Sequence, residues 1–280
     1  MKKIKYFLLT KSIGFGLNVV SYFQPMKATT IAYRLFSEPR KGKLLKENLP
    51  KILQNVPSEN FDAEEHFLET YIWKGNDNII LLVHGWESNT SRWEKLLPYL
   101  QQTGSTIVAV DAPGHGLSGG KEFNVIKYAA YIDVAVQKFK PTVLIGHSIG
   151  GAACIYYHTH FENESVKKMV VLGAPSDLKV LISNYVNLLS LNNRMNGFLK
   201  THFSAKFKME INSFSIAAFA KEIRIPGLIV HDIYDDIVVF DEGQKIANSW
   251  KNATFLQTKG LGHSLHDENV YEKIVAFLKL

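Results

Sequence analysis

Thr142-Val143-Leu144-Ile145-Gly146-His147-Ser148-Ile149-Gly150-Gly151-Ala152-Ala153 is the stretch from which the rest of the chain is read. An apolar run over residues 143–145 stops at a serine bracketed by glycines, and small residues then open a helical pattern. Gly146-His147-Ser148-Ile149-Gly150 fits G-x-S-x-G, a tight strand-to-helix turn that holds its serine in strained backbone. Side chains at the flanking positions would collide with the adjoining strand and helix, hence the glycines. The turn lifts the hydroxyl above the sheet edge and aims the first unpaired N–H groups of the helix at the same point.

Outward from this turn, strand and helix signals alternate. Toward the N-terminus, residues 69–73 alternate, Lys74-Gly75-Asn76-Asp77 turns, and residues 78–85 read as a buried strand, so the pair is expected to form a hairpin. A helix is expected over 91–102, with Trp93, Leu96, Leu97 and Leu100 on one face. A strand over 106–111, a glycine-rich loop at 112–120 and a helix over 125–139 follow. Beyond the turn come a helix to 161, a strand at 168–173, a strand at 225–231, a helix over 242–250, a short strand at 253–257 and a last helix over 268–280. Near-continuous apolar strands alternating with helices predict an α/β class, with a mostly parallel, doubly wound sheet covered on both faces.

Residues 175–223 break the rhythm with helical patterns and no strand, which predicts a small helical cap inserted beyond the carboxyl end of a strand. Its Leu188, Leu189, Leu191, Met195, Phe198 and Leu199 suggest an apolar acyl or alcohol group as substrate. The expected organisation is therefore a helical leader over 1–62, a core over 63–174 and 224–280, and the cap over 175–223. Within the leader, helices are expected near 12–23 and 27–36.

The 280 residues carry 46% hydrophobic and 21% charged side chains, an ordinary balance for a globular domain. The net charge of +6 is spread thinly and lacks interleaved stacking aromatics, which argues against a nucleic-acid partner. Cys154 is the sole cysteine, so no disulfide forms within the chain and a cytoplasmic location is expected. Residues 1–23 are basic and then apolar, but Lys11 and Asn18 dilute the run. It reads as an amphipathic helix packing on the domain, with weak peripheral membrane contact as the alternative.

A serine nucleophile needs a base and a group to orient that base. In a strand–elbow–helix architecture the chain order is serine, acid, histidine. Residues 230–238 follow a late strand and offer Asp232, Asp235 and Asp236, while residues 260–267 follow the last strand and offer His263 and His266. His84-Gly85-Trp86 follows an early strand, where a backbone N–H could share an oxyanion with that of Ile149. His84 reads as structural, and Asp111 with His115 as closing a turn. His158 and His160 lie on different helix faces and do not make a metal pair.

With these loops in hand the chain resembles the α/β-hydrolase superfamily, of the esterase and serine-aminopeptidase-like kind, over about residues 65–280. The matching features are His84-Gly85, the Asp111-Ala112-Pro113-Gly114-His115-Gly116-Leu117-Ser118 loop, the nucleophile elbow and the two late loops. The family's acid loop commonly reads G-x-x-D-x-x-V, so the resemblance implies Asp235 as the acid, with Asp232 at the glycine position and Asp236 as the rival. The family's histidine follows G-x-G, which implies His263 over His266. The implied roles are Ser148 as nucleophile, His263 as base, Asp235 as orienting acid, and the N–H groups of Trp86 and Ile149 as oxyanion hole. No metal and no cofactor is implied. The expected activity is carboxylic ester hydrolysis of a small-molecule acyl substrate. The alternatives are a non-catalytic ligand-binding relative and a membrane-peripheral lipase or acyltransferase.

Overall fold

The computed structural model describes residues 2–279. Two helices come first, α1 (Lys2–Phe23) and α2 (Pro25–Ser37). They are separate because Pro25 starts the second: Gln24, forced out of helical geometry by the proline ring, sits at φ −137°, ψ 68°. Then follow β1 (Ser58–Ala63), β2 (His66–Trp73), β3 (Asn76–Val83), a 3₁₀ turn (Thr90–Lys95), α3 (Leu97–Gln101), β4 (Ser105–Val110), α4 (Val125–Phe139), β5 (Val143–His147), α5 (Ile149–His160) and β6 (Lys168–Leu172). The remainder comprises α6 (Leu178–Leu189), α7 (Asn193–Phe207), α8 (Ile216–Ala220), β7 (Gly227–Asp232), α9 (Phe240–Ser249), β8 (Ala253–Thr258) and α10 (Glu268–Lys279).

Contacts divide the chain into two compact units. The larger holds residues 39–176 and 216–280, and the smaller holds 1–38 with 177–215. The two helices of the expected leader share a unit with the middle segment. Residues 39–62 run with the larger unit and already contribute β1.

The larger unit is an eight-stranded sheet in the order β1-β2-β4-β3-β5-β6-β7-β8. Pairing is antiparallel for β1/β2 and β2/β4, and parallel from β4 onward. This is the α/β-hydrolase fold. The period-2 alternation of strands sorts the core. Leu82, Ile145, Val170 and Val230 pack with residues of α3 and α10 on one face. Their strand neighbours Leu81, Leu144, Val171 and Ile229, equally buried, point to the other face. Runs buried on both faces are what a parallel sheet demands.

Two local expectations are corrected. The strands flanking Lys74 and Gly75 do not form a hairpin, because β4 lies between them: Val108 pairs with Ile72 on one edge and with Leu81 on the other. The turn reverses the chain as its residues require, but the apolar run of β3 needs a buried neighbour on both edges, and β4 and β5 supply them. The hairpin that does form is β1–β2, closed at Glu64, whose φ is +53°. The helix expected over 91–102 is split into the 3₁₀ turn and the short α3, because Pro98 in the first turn of α3 cannot donate back to the preceding turn.

The smaller unit is all-helical. Leu17, Ala28, Ala32 and Tyr33 of α1 and α2 close a core with Ile182 and Leu189 of α6 and Met195, Leu199 and Phe203 of α7. Most of the apolar residues that suggested a substrate-facing surface are consumed here: Leu189, Leu191, Met195 and Leu199 are all buried in this core.

Candidate active site

Ser148 stands between β5 and α5 at φ +54°, ψ −127°, a conformation that side-chain-bearing residues seldom adopt. Three backbone hydrogen bonds hold it there. Its N–H donates to Leu172 O at 2.8 Å, and its carbonyl accepts from Gly151 N at 2.9 Å and Ala152 N at 3.2 Å. The motif glycines answer to close approach. A methyl on Gly146 would lie 2.6 Å from the Cα of Gly151, and one on Gly150 would overlap the carbonyl oxygens of Val83 and His84. Glycine thus lets α5 press against the ends of both β5 and β3.

The acid and the histidine arrive on the loops after β7 and β8. His263 Nε2 lies 3.0 Å from Ser148 Oγ, and His263 Nδ1 lies 2.7 Å from Asp235 Oδ2. The other carboxylate oxygen of Asp235 accepts from Ile237 N and Val238 N, each at 2.9 Å. Burial pushes this carboxyl up, but the bonds from His263, Val238 and Ile237 outweigh it and hold it below the usual aspartate range. An ionised acceptor at Asp235 fixes the proton of His263 on Nδ1, leaving the Nε2 lone pair to face the serine hydroxyl.

The rivals have other work. Asp232 accepts from Tyr234 N, Thr258 Oγ1, Gly260 N and Leu261 N, and so ties the acid loop to the loop that carries His263. Asp236 is exposed. His266 Nδ1 meets the Tyr271 hydroxyl at 2.6 Å, and burial with the nearby charges of Arg92 and Lys95 pushes its pKa down to about 4.

Gly85 brings the segment after β3 against the serine: a methyl on it would lie 2.8 Å from Ser148 Cβ. The peptides flanking Trp86 are each held by a buried histidine. His84 Nδ1–H donates to Gly85 O at 2.8 Å, and His115 Nε2 accepts from Glu87 N at 3.0 Å. His84 Nε2 accepts from Ala112 N, and His115 Nδ1–H donates to Pro113 O. Both rings are neutral in these bonds, and burial above all pushes their pKa values down to about 3. Asp111 accepts from Thr90 N, Thr90 Oγ1 and Leu117 N, as a turn-closing residue does. The Trp86 indole packs on His115 and Phe123. Ile149, the first residue of α5, carries an N–H with no partner within the helix.

Two residues of the site escaped sequence reasoning. Gly173, at φ +59° just after β6, lies under the His263–Asp235 pair: a methyl there would be 3.5 Å from His263 Nδ1 and 3.6 Å from Asp235 Oδ2. His147 occupies the free position before the serine, and its Nε2–H donates to the backbone carbonyl of His263 at 2.8 Å. Its strand position buries it in place, but nothing in the sequence pairs it with a residue 116 positions later. Among the described residues, no group of three or more His, Cys, Asp and Glu side chains is arranged to hold a metal ion. His160 stacks on Tyr156, and the Cys154 thiol is buried, which pushes its pKa well up.

A sequence model of the α/β hydrolase fold matches residues 78–190. A bifunctional esterase/perhydrolase of Acinetobacter calcoaceticus is 24% identical over 256 residues, covering 72% of this chain and 91% of that one. The monoglyceride lipase of Rattus norvegicus is 28% identical over 185 residues, covering 58% of this chain and 61% of that one. Among solved structures, an esterase of Pyrococcus furiosus superposes with a TM-score of 0.67 at 19% identity, over 86% of this chain and 98% of that one.

Proposed function

We propose that this chain, a hydrolase of the α/β-hydrolase superfamily, cleaves carboxylic esters of small-to-medium apolar acyl groups with Ser148, His263 and Asp235. The observation that carries the reading is the unbroken hydrogen-bonded run from Ser148 Oγ through His263 to Asp235, at a serine held with positive φ. The relatives named as an esterase/perhydrolase and a monoglyceride lipase favour an ester as the bond attacked.

In this mechanism Ser148 Oγ attacks the acyl carbonyl as His263 Nε2 takes its proton. The tetrahedral oxyanion is held by the N–H groups of Ile149 and Trp86, each such donor contributing about 3 kcal/mol of transition-state stabilisation. His263 then protonates the departing alkoxide, leaving an acyl-serine and free alcohol. Water enters, His263 removes its proton, and the second oxyanion collapses to release the acid and restore Ser148. Asp235 keeps the Nδ1 proton in place and stabilises the imidazolium formed in each half.

The test is hydrolysis of a series of p-nitrophenyl esters from acetyl to long-chain acyl, by wild type and Ser148→Ala. The reading requires turnover that Ser148→Ala lowers by about 10³-fold or more. A folded wild type with no turnover, or turnover that survives the substitution, refutes it.

A further inference from the structure

Helix α1 turns several of its polar residues inward: Thr10 and Ser21 are buried, and Lys11 and Asn18 are partly so, whereas Lys5 and Ser12 stay exposed. Lys11 Nζ donates to Asn187 O, Leu188 O and Ser190 Oγ at the C-terminal end of α6, where unpaired carbonyls welcome a cation. Asn18 donates to Ser190 O and accepts from Asn192 N. The two residues that looked like flaws in an apolar run are therefore the docking residues of the helix.

What this orientation leaves outside is apolar. Phe15 is 71% exposed, Phe23 82% and Met26, just past the break, 84%. Phe15 and Phe23, with Leu8, Val19 and Tyr22, make one stripe of α1 opposite the buried Thr10, Gly14, Leu17 and Ser21, and Met26 is exposed at the start of α2. Residues 4–9 add six consecutive exposed positions, five of them large and apolar. Such a patch is costly in water and marks an interaction surface.

Charge selects the occupant. Residues 1–37 hold six Lys and Arg and no Asp or Glu. The smaller unit as a whole has eleven basic against three acidic residues, whereas the larger has twenty-one against twenty-three. The whole basic excess of the chain is therefore concentrated in the unit that bears the apolar stripe. A second copy of this chain would bring two all-basic segments together. An anionic lipid surface pairs with the lysines while taking up the phenylalanines. Among the described residues no helix is long and apolar enough to cross a membrane, so the contact is interfacial.

We propose that the outward face of residues 4–26 lies on anionic lipid bilayers, with Phe15, Phe23 and Met26 in the acyl boundary and the flanking lysines at the headgroups. This is independent of the ester-hydrolase reading. The experiment is co-sedimentation of the full chain with vesicles of phosphatidylcholine alone and of phosphatidylcholine mixed with phosphatidylglycerol. Binding to the mixed vesicles is expected to be about tenfold tighter or more, and to weaken as salt is raised. Phe15→Ser with Phe23→Ser, and separately Lys2, Lys3 and Lys5 all to Gln, are each expected to weaken it about tenfold while the circular dichroism spectrum and melting temperature stay those of wild type. Equal affinity for both vesicle types, or no pelleting by a folded chain, overturns the proposal. So does a dimer in sedimentation equilibrium that Phe15→Ser with Phe23→Ser dissolves, if the vesicles are not bound.

Discussion

Asp232, the last residue of β7, and Asp235, on the loop that follows, stand three residues apart, and their carboxylates serve different partners. Asp235 takes the Nδ1 proton of His263 at 2.7 Å, whereas Asp232 takes Thr258, Gly260 and Leu261 on the strand and loop that deliver that histidine. One orients the imidazole and the other sets the distance between the two loops.

Asp235→Asn keeps the shape but offers Nδ1 an amide in place of an ionised acceptor. The kcat of ester hydrolysis is expected to fall about 10³–10⁴-fold. Asp236→Asn, at an exposed neighbour, is expected to leave kcat within about twofold. Steady-state kinetics of the two variants side by side decides between them.

Asp232→Ala strands four part-buried donors, Tyr234 N, Thr258 Oγ1, Gly260 N and Leu261 N, on both sides of the site. The expected loss is about 2–3 kcal/mol in urea unfolding, with a fall in kcat because His263 loses its register against Ser148. A stability unchanged within error would show that the loops are held by other means.

The glycines give opposite outcomes for one substitution. Gly150→Ala places a methyl onto two carbonyl oxygens that cannot move without breaking the β3–α5 contact, so a loss of about 3 kcal/mol or more and of activity is expected. Gly197→Ala, inside α7 with nothing within 4 Å of the new methyl, is expected to raise stability by about 0.5–1 kcal/mol. Thermal and urea unfolding of both variants measure the contrast.

Acid sensitivity follows from the buried histidines. His84 and His115 titrate near pH 3 in the folded chain, pushed down chiefly by burial, and near 6.5 when unfolded. The unfolded state therefore binds more protons between these values, and stability is expected to fall as pH drops below about 6.5. Each ring contributes a slope of about 1.4 kcal/mol per pH unit well below that point. Above pH 7 neither ring contributes. Urea unfolding from pH 8 to pH 4 tests the sign, and a flat curve over pH 4–6 would contradict it.

What the sequence revealed, and what it hid, follows from how local each constraint is. The elbow was legible because its glycines and serine fall within five residues, and the steric demand at Gly146 comes from Gly150 and Gly151 themselves, although that at Gly150 comes from Val83 and His84 at the end of β3. The sheet's parallel half was legible because strands buried on both faces must be apolar throughout. The pairing of β2 was not, since its partner β4 lies some thirty residues on and the intervening turn speaks only of chain reversal. The β1–β2 hairpin was hidden by polar strand residues and a turn at Glu64 with neither glycine nor asparagine. Three aspartates within five residues could be separated only by their hydrogen bonds. Lys11 and Asn18 looked like dilution because a helix's inward face cannot be known before its neighbours are.

The central claim is that Ser148 is an activated nucleophile, and labelling with a fluorophosphonate probe tests it most directly. The adduct is expected at Ser148 by mass mapping, absent in Ser148→Ala, and strongly slowed in His263→Ala, with His266→Ala labelling at close to the wild-type rate. A well-folded wild type that does not label, or an adduct at another residue that survives Ser148→Ala, would contradict the account.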